Sequence, residues 1–365
     1  STIGGTLDAM LAISAAGFNP AALFPTKTNS PVGYLETHTT DLSSFAATNG
    51  GQAGKVVLAL TAAAIDPRNF GGHEYVTVLT GQLDPSGAYG VGDAFKQSMA
   101  ILGLVSARES VPNSAVDWLK GKQSANGSWD DGFGTANNPD TTAVGIMALL
   151  AAGQAPADPQ IQLAKTFLQD TQLTGGWEYG SGFGASANST ALVIQALSAL
   201  GEDWYSPGSP WIVGGQTPLH ALLSFQSESG AFQSDFGQGP FDDFYATVQA
   251  IPAAAGRPYP LPGRFEAARA GVSCLEGLQD NQTGGWPSFA GGSADAQGTS
   301  RAIQAITAAG YDPRSAQWTT PGGIDAVEAL ETLTPPYLSG GRGGRVGIVM
   351  QGVVAAGPPS DVNDF

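Results

Sequence analysis

The sequence predicts an all-α fold, an α/α toroid or barrel of six to seven inner and outer helix pairs. Three observations carry this prediction. Strongly apolar helical segments alternate with amphipathic ones along the chain. A short Gln–Gly–aromatic segment recurs between them. Alternation of period two, the mark of a half-buried strand, is nearly absent.

The recurring segment has five copies: Gln82…Gly87-Ala-Tyr89, Gln123…Gly127-Ser-Trp129, Gln172…Gly175-Gly-Trp177, Gln226…Gly230-Ala-Phe232 and Gln279…Gly284-Gly-Trp286. The aromatics lie roughly 40 to 55 residues apart, a period that accommodates one helix–loop–helix pair. A Gln amide in this setting bonds backbone groups of the next turn, and the aromatic ring packs on that amide. The segment then ties an outer helix to the loop that follows it.

Amphipathic helices are expected before these segments, as at Ser114–Lys120 and Ile161–Leu168, and also at Leu35–Ala47, His73–Thr80 and Ile324–Leu333. Apolar helices are expected after the glycine-rich loops, at Phe95–Val105, Thr141–Ala152, Thr190–Leu200, Tyr245–Ala255 and Thr299–Ala309. Thr2–Ala16, Gly54–Ala64 and Val346–Ala356 add three less regular copies. Several apolar helices end in Gly or Asn/Asp followed by Pro20, Pro67 or Pro313, which stops a helix. The apolar set belongs in an inner ring and the amphipathic set in an outer one. The whole chain, 1–365, reads as a single domain, with 1–50 and 320–365 as less regular terminal repeats.

Composition narrows the function classes. Of 365 residues, 42% are hydrophobic and only 13% charged, which is not the balance of a disordered chain. The 51 glycines cluster as punctuation, without the every-third spacing of collagen. A net charge of -16 argues against nucleic acid and anionic membrane surfaces as partners. No apolar run is long enough for a membrane span. The lone Cys274 sits in an apolar helical pattern and reads as a small buried hydrophobe. The start at Ser1 and the Gly/Ser/Thr/Asn-rich polar fraction lead to an expected extracellular or cell-surface location.

The segment Gln123 to Trp129 resembles the QW motif of squalene and oxidosqualene cyclases, and Asp140-Thr-Thr-Ala resembles the matching inner-helix start. The wider superfamily includes prenyltransferase β subunits, complement thioester domains and cobalamin carriers. The resemblance spans about residues 50 to 355 and implies the toroid far more specifically than any one activity. Asp242 to Pro252, with Gly256 to Pro260, is similar to bacterial cell-surface repeat proteins of unassigned activity.

The resemblance places Asp140 at the general-acid position of a class II terpene cyclase. Asn138 and Thr141 stand where that motif has flanking carboxylates. Asp140 is therefore read first as a helix cap. Asp242 and Asp243, beside Phe241, Phe244 and Tyr245, form the other candidate acidic pair and are also expected to cap a helix. A prenyltransferase zinc site is not expected, because His38, His73 and His220 all fall in outer segments and Cys274 lies mid-helix. No cofactor is implied.

These readings lead to an expected non-catalytic extracellular or cell-surface toroid, an interaction or scaffold protein working through its loop-rich end. A protein partner or self-assembly is expected there. The alternatives are a binder of a small apolar molecule, comparable to cobalamin carriers, and a terpene-cyclase-like enzyme with a degenerate acid motif. The candidate contact residues are Trp129, Phe133, Tyr179, Phe183, Phe236, Phe241, Phe244, Tyr245 and Phe289.

Overall fold

The computed structural model describes residues 2–21, 30–90, 93–132, 135–261, 271–272, 274–289, 291–308, 311–339 and 343–357. The chain, read from sequence as one domain, divides into two compact units, Ser1–Pro262 and Gly263–Phe365. Each carries its own core.

Twelve helices make up the described part of the first unit. The inner six are α1 (Ile3–Ala15), α4 (Gly50–Ala62), α6 (Ala94–Ser106), α8 (Pro139–Ala151), α10 (Ala187–Leu200) and α12 (Phe244–Ala254). Between them run α2 (Pro31–Thr37), α3 (Thr39–Ala47), α5 (Tyr75–Thr80), α7 (Asn113–Gly121), α9 (Pro159–Asp170) and α11 (Pro218–Leu223). Each inner helix packs on the next, and α12 packs back on α1, so the ring of six closes. This is the α/α toroid expected from the alternation of apolar and amphipathic segments.

Sequence explains which helices lie inside. Along α8 every residue from Thr141 to Leu149 is buried, and α10 is likewise buried from Ser189 to Leu197. On α7 only Ala115, Val116 and Leu119 are buried, a single stripe. Each buried Leu, Ile or Val contributes about 1.5–3 kcal/mol relative to exposure. Two glycines set the α4–α6 spacing. A Cβ on Gly54 would lie 2.3 Å from the Met99 carbonyl oxygen, and one on Gly103 would lie 2.6 Å from the Gly54 Cα.

The Gln–Gly–aromatic segments act as bolts between layers. Trp129 and Trp177 donate their indole N–H to Leu119 and Leu168 carbonyls at the ends of α7 and α9, each at 2.7 Å. Their backbone N–H groups donate to Thr142 and Thr190 hydroxyls on α8 and α10. The Gln123 amide donates to the carbonyls of Gly127 and Gln160, and the Gln172 amide to that of Trp211. The outer helix, its loop and the next inner helix are thus locked together.

The second unit repeats this design. Gln279 donates to Gly284 and Trp318 carbonyls, and Trp286 to the Leu275 carbonyl. Its described helices include Ala296–Ala308, Ala326–Leu338 and Gly343–Ala356. Its core gathers Trp286, Ile303, Ile306, Trp318 and Leu330.

Three local expectations are corrected. The segment read as one helix from Leu35 to Ala47 is broken at His38. That ring stacks on Tyr34 with centroids 4.0 Å apart, and its Nδ1 lies 2.8 Å from the Tyr34 carbonyl oxygen, so it seals the end of α2. A two-residue antiparallel pair, Gln233–Ser234 with Phe241–Asp242, forms where no strand was expected. Cys274 is exposed, because the apolar face of its segment is carried by Val272 and the partly buried Leu275.

Candidate acid site at the loop end of the barrel

The chain alternates inner and outer helices, so the loops after the aromatics deliver inner helices by their N-termini to one end of the first unit. The contacts of each helix fix which side faces the axis. Thr142 on α8, Thr190 on α10 and Thr247 on α12 point outward, since their hydroxyls accept from Trp129, Trp177 and Phe232 N–H groups. Residues turn about 100° per position in a helix, so the axis side lies two residues before and two or five after each Thr. Asp140, Asn188 and Tyr245 therefore share one level at the mouth. Asn188 donates to Gln249 of α12 at 2.9 Å across this side.

The sequence reading of Asp140 as the cap of α8 is corrected. Asn138 is the cap: its Oδ1 accepts from Thr141 N–H at 2.7 Å, with Pro139 opening the helix. Asn138 also donates to the Tyr179 carbonyl at 2.9 Å, tying two loops together. This leaves Asp140 one step inside the helix, where its side chain turns to the axis. Its Oδ1 is buried without a hydrogen-bond partner. Burial pushes the carboxyl up to about 6, the Ser189 side chain pulls it down, and the charge of Asp131 adds a further upward push. The residue as a whole is half-buried.

Asp131 and Tyr179 complete the cluster. The Tyr179 hydroxyl donates to Asp131, whose other oxygen accepts from Thr135 N–H at 3.0 Å. Desolvation and this bond to Asp131 raise the Tyr179 phenol. The sequence reading did not name Asp131 as a catalytic candidate. Nothing local marks it, because its neighbour Tyr179 is brought in by the loop of the following repeat.

The other candidates separate. Asp243 caps α12, its Oδ1 accepting from Tyr245 N–H at 2.9 Å. Asp242 lies on the exposed hairpin, held below the usual carboxylate range by the Ser229 and Ser227 hydroxyls. Trp129, read as a contact residue, is wholly buried and bolts α7 to α8. Phe133 lies outside the described residues. Phe183 and Phe236 are 78% and 79% exposed, and Tyr179, Phe241, Phe244 and Tyr245 are exposed less. Phe289 is exposed on the second unit. An open groove of about 610 Å³ in that unit, lined by Gln304, Thr307, Met350, Gln351, Val354 and Ala355, holds no titratable group.

Among the described residues no group of three His, Cys, Asp or Glu side chains converges as a metal site, and no helix is long and apolar enough to cross a membrane.

No protein-family model matches the chain. No curated protein matches it. Solved structures do. The type II terpene cyclase MstE from Scytonema, without ligand, superposes with a TM-score of 0.50 at 13% identity, over 69% of this chain and 86% of that one. A variant of MstE holding its substrate, geranylgeranyl dihydroxybenzoate, gives 0.49 at 12%, over 70% and 87%. The ent-copalyl diphosphate synthase from Streptomyces platensis gives 0.44 at 18%, over 69% and 49%. The chain has the α/α toroid fold of the terpene cyclases.

The expectation of a non-catalytic scaffold is accordingly corrected. A solved structure that shares the fold, that of MstE, belongs to a type II terpene cyclase. The capping role that had explained Asp140 without chemistry belongs to Asn138.

Proposed function

We propose that the first unit is a terpene-cyclase-like enzyme that starts its reaction by protonating an alkene of an isoprenoid from Asp140. The observation that carries this reading is the axis-facing carboxyl with a buried, unpartnered Oδ1 and a pKa raised to about 6. An acid catalyst must hold its proton near working pH, and burial supplies that here.

The step balances simply. The Asp140 O–H bond breaks, a C–H bond forms at one alkene carbon, and the other becomes a tertiary cation. A second alkene attacks that cation to close a ring, and loss of a proton ends the sequence. On α6 the outward residue is Gln97, whose Oε1 accepts from Tyr89 N–H, so Phe95 of α6 and Tyr245 of α12 occupy the mouth level and carry aromatic rings of the kind that stabilises a cation. The Tyr179 hydroxyl donates to Asp131, whose charge acts on Asp140, and this pair is assigned the return of a proton to the spent carboxylate.

Asn138 and Thr141 replace two carboxylates of the terpene-cyclase acid motif. In this chain the neighbouring negative charge comes from Asp131 instead. The test is incubation of wild type and Asp140→Asn with squalene, with geranylgeranyl diphosphate and with farnesol, followed by product analysis. A cyclised product from wild type and none from the variant is expected. Equal product from both, or none from wild type across these isoprenoids, removes the assignment.

A further inference from the structure

Gln195 is the most anomalous polar residue of the barrel. It sits in the middle of α10, fully buried, and neither its Oε1 nor its Nε2 has a partner. An unpaired buried amide is costly, and both halves of this one are unpaired. The helical geometry that turns Asp140 to the axis does the same for Gln195, five residues beyond the outward-facing Thr190.

A second feature lies at the same level. Gln195 and Pro252 stand at equal distances from their N-caps, Ser186 and Asp243, on the adjacent helices α10 and α12. Pro252 has no N–H, so the Val248 carbonyl lacks its usual helical donor. One level of the barrel interior thus offers an amide donor, an amide acceptor and a backbone acceptor released from helix bonding. The neighbouring axis positions Met147 on α8 and Leu192 on α10 are apolar, and Gln249 on α12 is already bonded by Asn188.

We infer that this level is the binding site for the hydroxyl group of an isoprenoid alcohol, whose chain runs up the barrel axis and presents an alkene to Asp140. A hydroxyl both donates and accepts, so it satisfies both halves of the Gln195 amide in turn or donates to Val248. The Gln195 level lies roughly 10 Å below that of Asp140 at 1.5 Å per residue, a span suited to a short isoprenoid chain. The inference rests on the acid-site reading for the place of the alkene, but binding at Gln195 is measured without turnover.

The probes are farnesol and the hydrocarbon farnesene, titrated against the full chain by quenching of tryptophan fluorescence. Wild type is expected to bind farnesol about ten-fold more tightly, the worth of one net hydrogen bond. Gln195→Leu is expected to bind the two equally and to unfold at higher denaturant, because it removes the unpaired amide. Gln195→Met serves as a second variant of similar length. Asp140→Asn is expected to keep the ten-fold preference. Equal binding by wild type, binding of neither probe, or a preference that survives Gln195→Leu overturns the inference. So does a Gln195→Leu protein that folds but is less stable than wild type. Turnover without the preference sinks this inference alone, and the preference without turnover sinks the acid-site reading alone.

Discussion

Replacing Asp140 by Asn tests the acid site through stability alone, with no substrate. The native carboxyl ionises near pH 6 and the ordinary value is 3.8, a gap of roughly two units. Each unit corresponds to 1.36 kcal/mol, so the gap amounts to about 3 kcal/mol. The sign follows from proton binding. Between pH 3.8 and about 6 the unfolded chain has released this proton and the native chain has not. The stability linked to the group is therefore complete below pH 3.8, is lost as pH rises to about 6, and is level above. Screening at this half-buried residue lowers the figure, leaving about 1–3 kcal/mol. The dipole of α8 works the other way by about 0.3–1 kcal/mol, which is smaller. Asn carries no proton to lose. The variant is expected to match wild type near pH 3.5 and to exceed it by about 1–3 kcal/mol at pH 7.5. Urea unfolding across that range, at unchanged m, reads the difference directly. A variant less stable at pH 7.5, or a difference independent of pH, returns Asp140 to an ordinary helix-end carboxylate.

Turnover that requires protonated Asp140 is expected to rise as pH falls through about 6, which a kcat/KM profile measures. Tyr179→Phe removes the hydroxyl that donates to buried Asp131 and is expected to cost about 1.5–3 kcal/mol in urea unfolding. Gly54→Ala places a methyl 2.3 Å from the Met99 carbonyl oxygen, so it is expected to abolish folding or lower the unfolding midpoint severely, although Ala is the better helix former. Phe183→Ala is expected to change stability by less than about 0.5 kcal/mol, while Trp129→Ala costs about 3–5 kcal/mol, since the first ring is exposed and the second is buried and hydrogen-bonded.

The amino-acid sequence by itself determined the two rings. A helix buried on every side must be apolar all round, and one facing water must not, so the inner and outer sets were legible as composition along the chain. The bolts were legible too, because each Gln, Gly and aromatic acts within a few residues of its own loop. The hairpin at 233–242 and the break at His38 escaped because two bonded residues or one stacked ring leave no periodic trace.

The site was decided by the tertiary structure. Asn138 and Asp140 are both good helix-cap residues, and only the fold shows that Asn138 takes the cap while Asp140 is turned to the axis. Asp131 meets Tyr179 across a repeat, a contact no local pattern encodes. Gln195 is one polar residue in an apolar helix. Its meaning depends on what surrounds both ends of its amide, and that is set by α8 and α12, not by its own neighbours in sequence. Periodicity fixes which face of a helix is buried. Which buried polar atoms find partners is fixed only when the ring closes.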